Sequence, residues 1–280
     1  MKLISWNIQR GRWHHGTCNL ERVAASLRQM ADADVLCLQE VSAGYTDLPG
    51  SDGRNQFIEL AALLPEYTAL AGINTDTRVA GGTRRLFGNM TLSRHPVLQV
   101  LRHALPWPVD AAAMSMQRGA IEATIDTPCG LLRVVNTHLE YFSPIQRAAQ
   151  VERLRELHRD AHLQALATPP GERDNGPFCA VPRAAMALLA GDFNFLPQSA
   201  QYWRLQAPFD EGVPAWQDAW GLTHPGQPHA PTVCVHDDTA IPYAFDFVFA
   251  SAGLARHVRS MRVVEGHFGS DHQPLLIELT

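Results

Sequence analysis

The sequence predicts an α/β protein in which two sheets carry flanking helices. In the first forty residues an apolar strand, an amphipathic helix and a second apolar strand follow one another. Further along, strand signals cluster, and no internal repeat or low-complexity tract breaks the chain. The length, 280 residues, allows one large domain or two. Early alternation followed by clustered strands favours a single domain over 1–280, and a chain of this size buries about 75% of its unfolded surface.

Leu3 to Ile8 reads as a strand. Leu20, Val23, Ala24 and Leu27 then recur at helical spacing, the stripe of a surface helix over 20–30. Val35 to Leu38 is a short continuous apolar run that suits a strand buried on both faces. The stretch Gly44 to Asn55, rich in Gly, Asp and Ser, reads as a loop, and Gln56 to Leu64 as a helix stopped by Pro65. Strands are expected at Asn89–Ser93, Ala120–Ile125 and Leu131–Leu139, the last two joined by a turn at Pro128–Gly130. Ser143 followed by Pro144 marks a helix start; that helix should run to about Leu166 with Ala148, Val151, Leu154, Leu157 and Ala161 towards the core. Thr168 to Pro182, with four prolines and two glycines, is an irregular excursion. Met186–Ala190, Phe245–Ala250 and Leu275–Leu279 complete the strands.

Composition excludes several classes. Apolar residues make up 46% and charged residues 18%, as in a globular protein rather than a disordered or fibrous one. Asp plus Glu number 28 and Lys plus Arg 23, a formal charge of −5 that lacks the basic excess of a strong nonspecific nucleic-acid binder. The five cysteines include no C-x-x-C pair, so a cysteine zinc site or disulfide scaffold is not expected, and the odd number suits a reducing compartment. The N-terminus MKLISWNIQR is not a signal peptide, and no run of about 18 apolar residues suggests stable membrane insertion. A cytoplasmic enzyme is the expectation.

Strand after strand ends in a carboxylate, amide or imidazole. Asn7 is in the first, the second stops at Gln39-Glu40, and another stops at Asn136-Thr137-His138. Gly191-Asp192-Phe193-Asn194 closes the next, a later one carries Asp246, and Ser270-Asp271-His272 precedes the last. Burying such groups unpaired costs about 1–3 kcal/mol each; gathering them at one sheet edge around a cation avoids that cost. Oxygen ligands without cysteine indicate a hard ion, Mg²⁺ with Mn²⁺ as substitute, leaving coordination sites for a phosphate. Two histidines beside these acids could move protons or stabilise charge on a phosphoryl oxygen.

Ser5-Trp6-Asn7, Leu38-Gln39-Glu40, Gly88-Asn89 with Ser93-Arg94, Asn136-Thr137-His138-Leu139, Gly191-Asp192-Phe193-Asn194 and Ser270-Asp271-His272 together resemble the endonuclease/exonuclease/phosphatase superfamily. Any one block is a weak signal; the whole set, in family order over residues 5 to 272, is a strong one. The resemblance implies a four-layer αββα sandwich of two mainly antiparallel sheets, with the site at one edge. It also implies metal-assisted, in-line attack of water on a phosphoester. By position, Glu40 would be the principal metal ligand, with Asn7 beside it and Asp271 assisting. Asp192 would orient or deprotonate the water, and Asn194 would hold the water or a phosphate oxygen. His138 and His272 would contact the phosphate, with Asp246 orienting His272. Whether His272 or Asp192 takes the water's proton, and whether one metal or two bind, stays open here.

The chain departs from common family patterns at Gln9, where many nucleases have an acid, and at Ala244, where many have an arginine. Blander roles are also available: a hydrogen-bonding Asn7, a core His138, an Asx turn at Asp192–Asn194, a surface pair at Asp271–His272, a structural Asp246. Trp13-His14-His15 is expected in a substrate-side loop, and His224, His229 and His236 in solvated loops. Arg84-Arg85 suits either a phosphate grip or a solvated loop. Arg118 is expected to support the site, Trp216 and Trp220 to pack, and the loops at 44–55, 75–85 and 168–182 to set specificity. The partner is a phosphoester substrate, with nucleic acid among the candidates. Three functions compete: a phosphodiesterase or nuclease first, a hydrolase of small or lipid-derived phosphates second, a non-catalytic binding module third.

Overall fold

The computed structural model describes residues 1–13, 16–167, 170–171, 176–210, 212–267 and 269–280. In chain order the elements are β1 (Lys2–Asn7), α1 (Leu20–Met30), β2 (Val35–Ala43), α2 (Gln56–Leu63), β3 (Thr68–Arg78), β4 (Arg84–Ser93), β5 (Val97–Ala104), β6 (Gly119–Thr127) and β7 (Gly130–His138). There follow α3 (Pro144–Leu166), β8 (Ala187–Asp192), α4 (Ala200–Gln206), β9 (Trp216–Asp218), α5 (Ala219–Thr223), β10 (Asp246–Ser251), α6 (Ala252–Ala255), β11 (Val258–Val263) and β12 (Leu275–Leu279). Side-chain caps start the longer helices: Asn19 accepts the Arg22 N–H, Asn55 that of Ile58 and Ser143 that of Gln146.

Two six-stranded sheets result, ordered β11-β12-β1-β2-β4-β3 and β5-β6-β7-β8-β10-β9. Only β1–β2 and β7–β8 pair in parallel; the other pairings are antiparallel. Alternation along the inner strands builds the layers. Leu3, Val134, Leu188 and Val248 enter the core between the sheets. Their neighbours turn outward: Ile4 packs with Val23 and Leu27 of α1 and Leu60 of α2. On the other side Val135, Leu189 and Phe249 pack with Val151 and Leu154 of α3 and Leu205 of α4. Helix, sheet, sheet, helix is therefore the order of the layers, the expected αββα sandwich.

Polar side chains stitch the sheets together near the end that carries the site. Gln39 on β2 donates from Nε2 to Asn136 Oδ1 at 2.8 Å, and Asn136 on β7 donates from Nδ2 to the Leu38 and Met90 carbonyls at 3.2 and 3.0 Å. Both residues are fully buried, and this relay supplies the Asn136 amide with partners that an apolar core cannot, while Gln39 Oε1 has none among the described residues. On the outer face of the second sheet, Glu122 and Arg133 form a buried ion pair at 3.7 Å. Arg133 donates to His158 Nδ1 on α3 at 2.6 Å, while His158 Nε2 faces the Pro214 carbonyl at 2.8 Å.

Several expectations need correction. β3, β5, β9 and β11 were not anticipated, and the expected loop at 75–85 is instead the end of β3, a tight turn and the start of β4. β2 does not stop at Gln39-Glu40 but runs on to Ala43 through an irregularity. Ala148 is exposed; Gln146 and Gln150 are buried in that first part of α3 because their amides bind carbonyls and N–H groups of the neighbouring loops. His229 is anchored rather than solvated, with Nε2 2.6 Å from Asp218 Oδ2, and His224 stacks on Trp220. His236 contacts the His267 carbonyl. Trp216 is buried against His158, as a packing residue should be. His14 and His15 of the Trp13-His14-His15 tract lie outside the described residues, as does part of the 168–182 excursion.

Candidate active site

Three neighbouring strands of the second sheet place His138, Asp192 and Asp246 side by side. His138 is in register with Asp192 across β7–β8, and Asp192 with Asp246 across β8–β10. All three are buried. Asp192 follows Gly191, whose φ of +150° and close approach to β7 leave no room for a side chain: an added Cβ would lie 1.9 Å from the Thr137 carbonyl oxygen. Beyond the strand, Asn194 adopts φ +51° and its N–H returns to Asp192 Oδ1 at 3.0 Å, the Asx turn that the sequence allowed. Asn194 Nδ2 donates to the Leu139 carbonyl at 2.9 Å.

The first sheet brings Asn7 and Glu40 to the same place. Glu40 sits in a β-bulge, where the β2–β4 register shifts between Leu38 and Val41 and its own φ is +57°. A bulge re-aims a side chain that a regular strand would direct elsewhere. Asn7 Nδ2 donates to Asp192 Oδ2 at 3.0 Å and lies 3.3 Å from Glu40 Oε1, so one amide spans both carboxylates. Arg10 Nη1 holds the other Glu40 oxygen at 3.1 Å. Gln9 replaces a second acid with a tether: its Nε2 donates to Asp271 Oδ2 at 2.7 Å.

His272 links the set. Its Nδ1 is 2.8 Å from Asp246 Oδ2, and its Nε2 is 3.7 Å from Asp192 Oδ2. The same Asp192 oxygen is 3.4 Å from His138 Nε2. Burial opposes charge on His272, but Asp246 and Asp192 outweigh it and hold its pKa well above the ordinary value. Burial, Arg118 and His272 instead push His138 well below that value. Burial raises Asp192 to about 7, against the pull of His272. A charged imidazole and a neutral one thus face a carboxylate whose proton affinity burial has raised.

All eight expected site residues, Asn7, Glu40, His138, Asp192, Asn194, Asp246, Asp271 and His272, gather at this edge of the sandwich. Among the described residues, Asp192, Asp246 and His272 form a group whose donor atoms lie within 4.8 Å of one another, close enough to hold a metal. That group is already internally paired through both ring nitrogens of His272. Glu40 and Asp271, on the cleft surface, add hard carboxylate oxygens, and this donor chemistry fits a divalent cation.

A cleft of about 390 Å³ opens over these groups. Its lining includes residues that sequence reasoning had not singled out: Arg10, Phe87, Tyr141, Phe142, Tyr243 and Phe245. Nothing in the periodicity marks Tyr141, Phe142 and Tyr243, because they lie outside the helices and strands. Arg118, expected to support the site, also lines the cleft and donates to the buried Glu140 at 3.2 Å. Arg84 and Arg85 are committed to Asp76 and Asp47 at 2.7 and 2.8 Å.

The sequence pattern of the Endonuclease/Exonuclease/phosphatase family matches residues 4–272, and the chain belongs to that family. The family's enzymes use divalent metals, and its members are phosphoester hydrolases, so this chain is a phosphoester hydrolase. No curated protein matches it in sequence. Among solved structures it is similar to an endonuclease/exonuclease/phosphatase from Beutenbergia cavernae, at 25% identity and a TM-score of 0.66 over 99% of this chain and 70% of that one. A mannosyl-6-phosphatase of Bacteroides thetaiotaomicron aligns at 16% identity and TM-score 0.66 over 100% and 99% of the two chains. The 3′ phosphatase NExo from Neisseria, bound to product DNA hairpin, aligns at 18% and 0.62 over 100% and 99%. No helix among the described residues is long and apolar enough to cross a membrane.

Proposed function

We propose that the protein is a Mg²⁺-dependent phosphodiesterase in which water attacks phosphorus in line with the leaving alcohol. The observation that carries this is the convergence of two imidazoles on Asp192, at 3.4 and 3.7 Å, next to the carboxylates of Glu40 and Asp271. Glu40 and Asp271 would hold the ion, with Asn7 orienting Glu40 against Asp192. A bound Mg²⁺ supplies charge that polarises a phosphoryl oxygen; Mn²⁺ would serve in its place.

The remaining chemistry belongs to side chains. Asp192 receives the proton of the attacking water, because His272 is already an imidazolium and has no vacant nitrogen to offer. Asn194, fixed by its own turn, orients that water. His272 steadies negative charge on the phosphorane, and His138 donates a hydrogen bond to a phosphate oxygen. A diester carries one negative charge where a monoester carries about two, and the cleft's cations, Arg10, Arg118 and the His272 imidazolium, are each already paired with a carboxylate. That favours the diester.

A nuclease remains the form of this chemistry nearest to the neighbour bound to a DNA hairpin. A small phosphoester is the second candidate, favoured by a net charge of −5 and by the engagement of Arg84 and Arg85 with acids. The test is hydrolysis of bis(4-nitrophenyl) phosphate against 4-nitrophenyl phosphate with Mg²⁺ or Mn²⁺, beside the Asp192→Ala protein. The diester should be cut faster, and Asp192→Ala should lose at least about 100-fold. Wild-type turnover equal to that of Asp192→Ala would refute catalysis at this site.

A further inference from the structure

The cleft contains a feature that phosphoester chemistry does not use. Phe142, Tyr141, Phe245 and Tyr243 form a continuous edge-to-face series, with ring centroids 4.9, 6.3 and 4.5 Å apart. All four line the cleft that holds Asp192 and both imidazoles. Tyr141 and Phe142 are nevertheless 49% and 51% exposed, so they do not serve as ordinary core residues.

Their backbone is held by a built support. Glu140, fully buried, accepts the Phe142 N–H on Oε1 at 2.9 Å and Arg118 on Oε2 at 3.2 Å. Its own N–H is bound by Gln150 at 2.8 Å. Arg147 Nη1 donates to the Glu140 and Tyr141 carbonyls at 2.7 and 2.8 Å. A loop that exposes two large rings beside a reactive centre, yet is fixed at four points, is preorganised for a ligand with a flat face. The Glu140 and Tyr141 carbonyls and the Glu140 and Phe142 N–H groups are occupied by that support, and the wall presents π-faces and edges.

Resting on phosphoester hydrolysis as proposed above, we infer that this aromatic wall is a stacking subsite for a planar organic group esterified to the phosphate. The substrate class is then a small aryl- or nucleobase-bearing phosphoester. Stacking selects a planar group with little regard to its hydrogen-bonding edges. A polymeric strand needs a basic track along its backbone, and Arg84 and Arg85, the paired arginines of β4, are held by Asp76 and Asp47.

Binding of non-hydrolysable probes to the full chain with Mg²⁺, followed by calorimetry, tests this. Phenylphosphonate should bind about ten-fold more tightly than methylphosphonate. Tyr141→Ala/Phe142→Ala should abolish that ratio and leave methylphosphonate unchanged, whereas Tyr141→Phe/Phe142→Tyr should retain it. Both positions are half-exposed, so the alanine pair should fold, and circular dichroism checks that it does. Adenosine 5′-monophosphate against ribose 5-phosphate, both hydrolysable and therefore bound to the Asp192→Ala protein, separates a base from a simple aryl group: a ten-fold ratio in that pair assigns the base. Equal affinities within both pairs, a ratio that survives the alanine pair, or tightest binding of an oligonucleotide would overturn the subsite. Preference without hydrolysis of any ester would remove catalysis and leave the subsite. Hydrolysis with no preference would do the reverse.

Discussion

His272 Nδ1 and Asp246 Oδ2 are 2.8 Å apart, in a setting from which water is largely excluded. Asp246 therefore fixes both the orientation and the charge of a ring whose other nitrogen faces Asp192. Asp246→Asn keeps the shape and removes the charge. The rate on bis(4-nitrophenyl) phosphate should fall by about 10- to 100-fold, the range for losing a partner that orients a reactive group. Nitrogen-15 shifts of the His272 ring should show imidazolium at pH 7 in the wild type and a neutral ring in the variant.

Glu40 is brought to the cleft by a bulge and balanced by Arg10. If a cation binds there, Glu40→Gln removes a full ligand charge with little change of volume. Mn²⁺ affinity, followed by electron paramagnetic resonance, should weaken at least about 10-fold, with the thermal midpoint without metal nearly unchanged. Equal Mn²⁺ affinity in the two proteins would move the ion away from Glu40.

Gly191 carries a backbone constraint that can be tested apart from chemistry. At φ +150°, with Thr137 O 1.9 Å from a would-be Cβ, Gly191→Ala must displace β8 from β7. A loss of about 2–4 kcal/mol is expected, lowering Tm by about 3–7 °C in a chain of this size. An unshifted Tm would mean that the two strands can part freely.

Far from the cleft, His158 sets a pH dependence of stability. Burial first, then Arg133, pushes its pKa down to about 3 from 6.5. With Arg133 donating to Nδ1, the neutral ring carries its proton on Nε2, facing the Pro214 carbonyl. The unfolded chain takes up a proton below about pH 6.5 that the folded chain refuses, so stability falls as pH drops from there towards 3. The slope from this one group approaches about 1.4 kcal/mol per pH unit. Urea midpoints at pH 7.5 and 5 should show His158→Gln less stable at the higher pH and less sensitive to the drop.

Every strand that the sequence reveals is an interior strand, and every strand it hides is an edge. β1, β2, β4, β12, β6, β7, β8 and β10 have neighbours on both sides; β3, β11, β5 and β9 do not. Interior strands must be apolar on both faces of a four-layer sandwich and read as unbroken runs such as Val35–Leu38. An edge such as Val97–Ala104 is buried only in part, and its alternation dissolves among Gln99, Arg102 and His103. The polar strand ends were legible for the complementary reason: an amide or carboxylate closing an apolar run needs a partner. Part of that polarity serves the fold, since Gln39 donates to Asn136 between the sheets and Asn136 donates on to the Leu38 and Met90 carbonyls. What stayed hidden depends on three-dimensional placement alone. The bulge at Glu40, the Arg10 contact and the Glu140 support for Tyr141 and Phe142 leave no periodic trace.

The most direct test of water attacking phosphorus at Asp192 is hydrolysis of bis(4-nitrophenyl) phosphate by the Mg²⁺-loaded protein in H₂¹⁸O, with mass analysis of both products. One ¹⁸O per turnover should appear in 4-nitrophenyl phosphate and none in 4-nitrophenol, and the Asp192→Ala protein should release neither above background. Label in the phenol, or full turnover by Asp192→Ala, would contradict the mechanism.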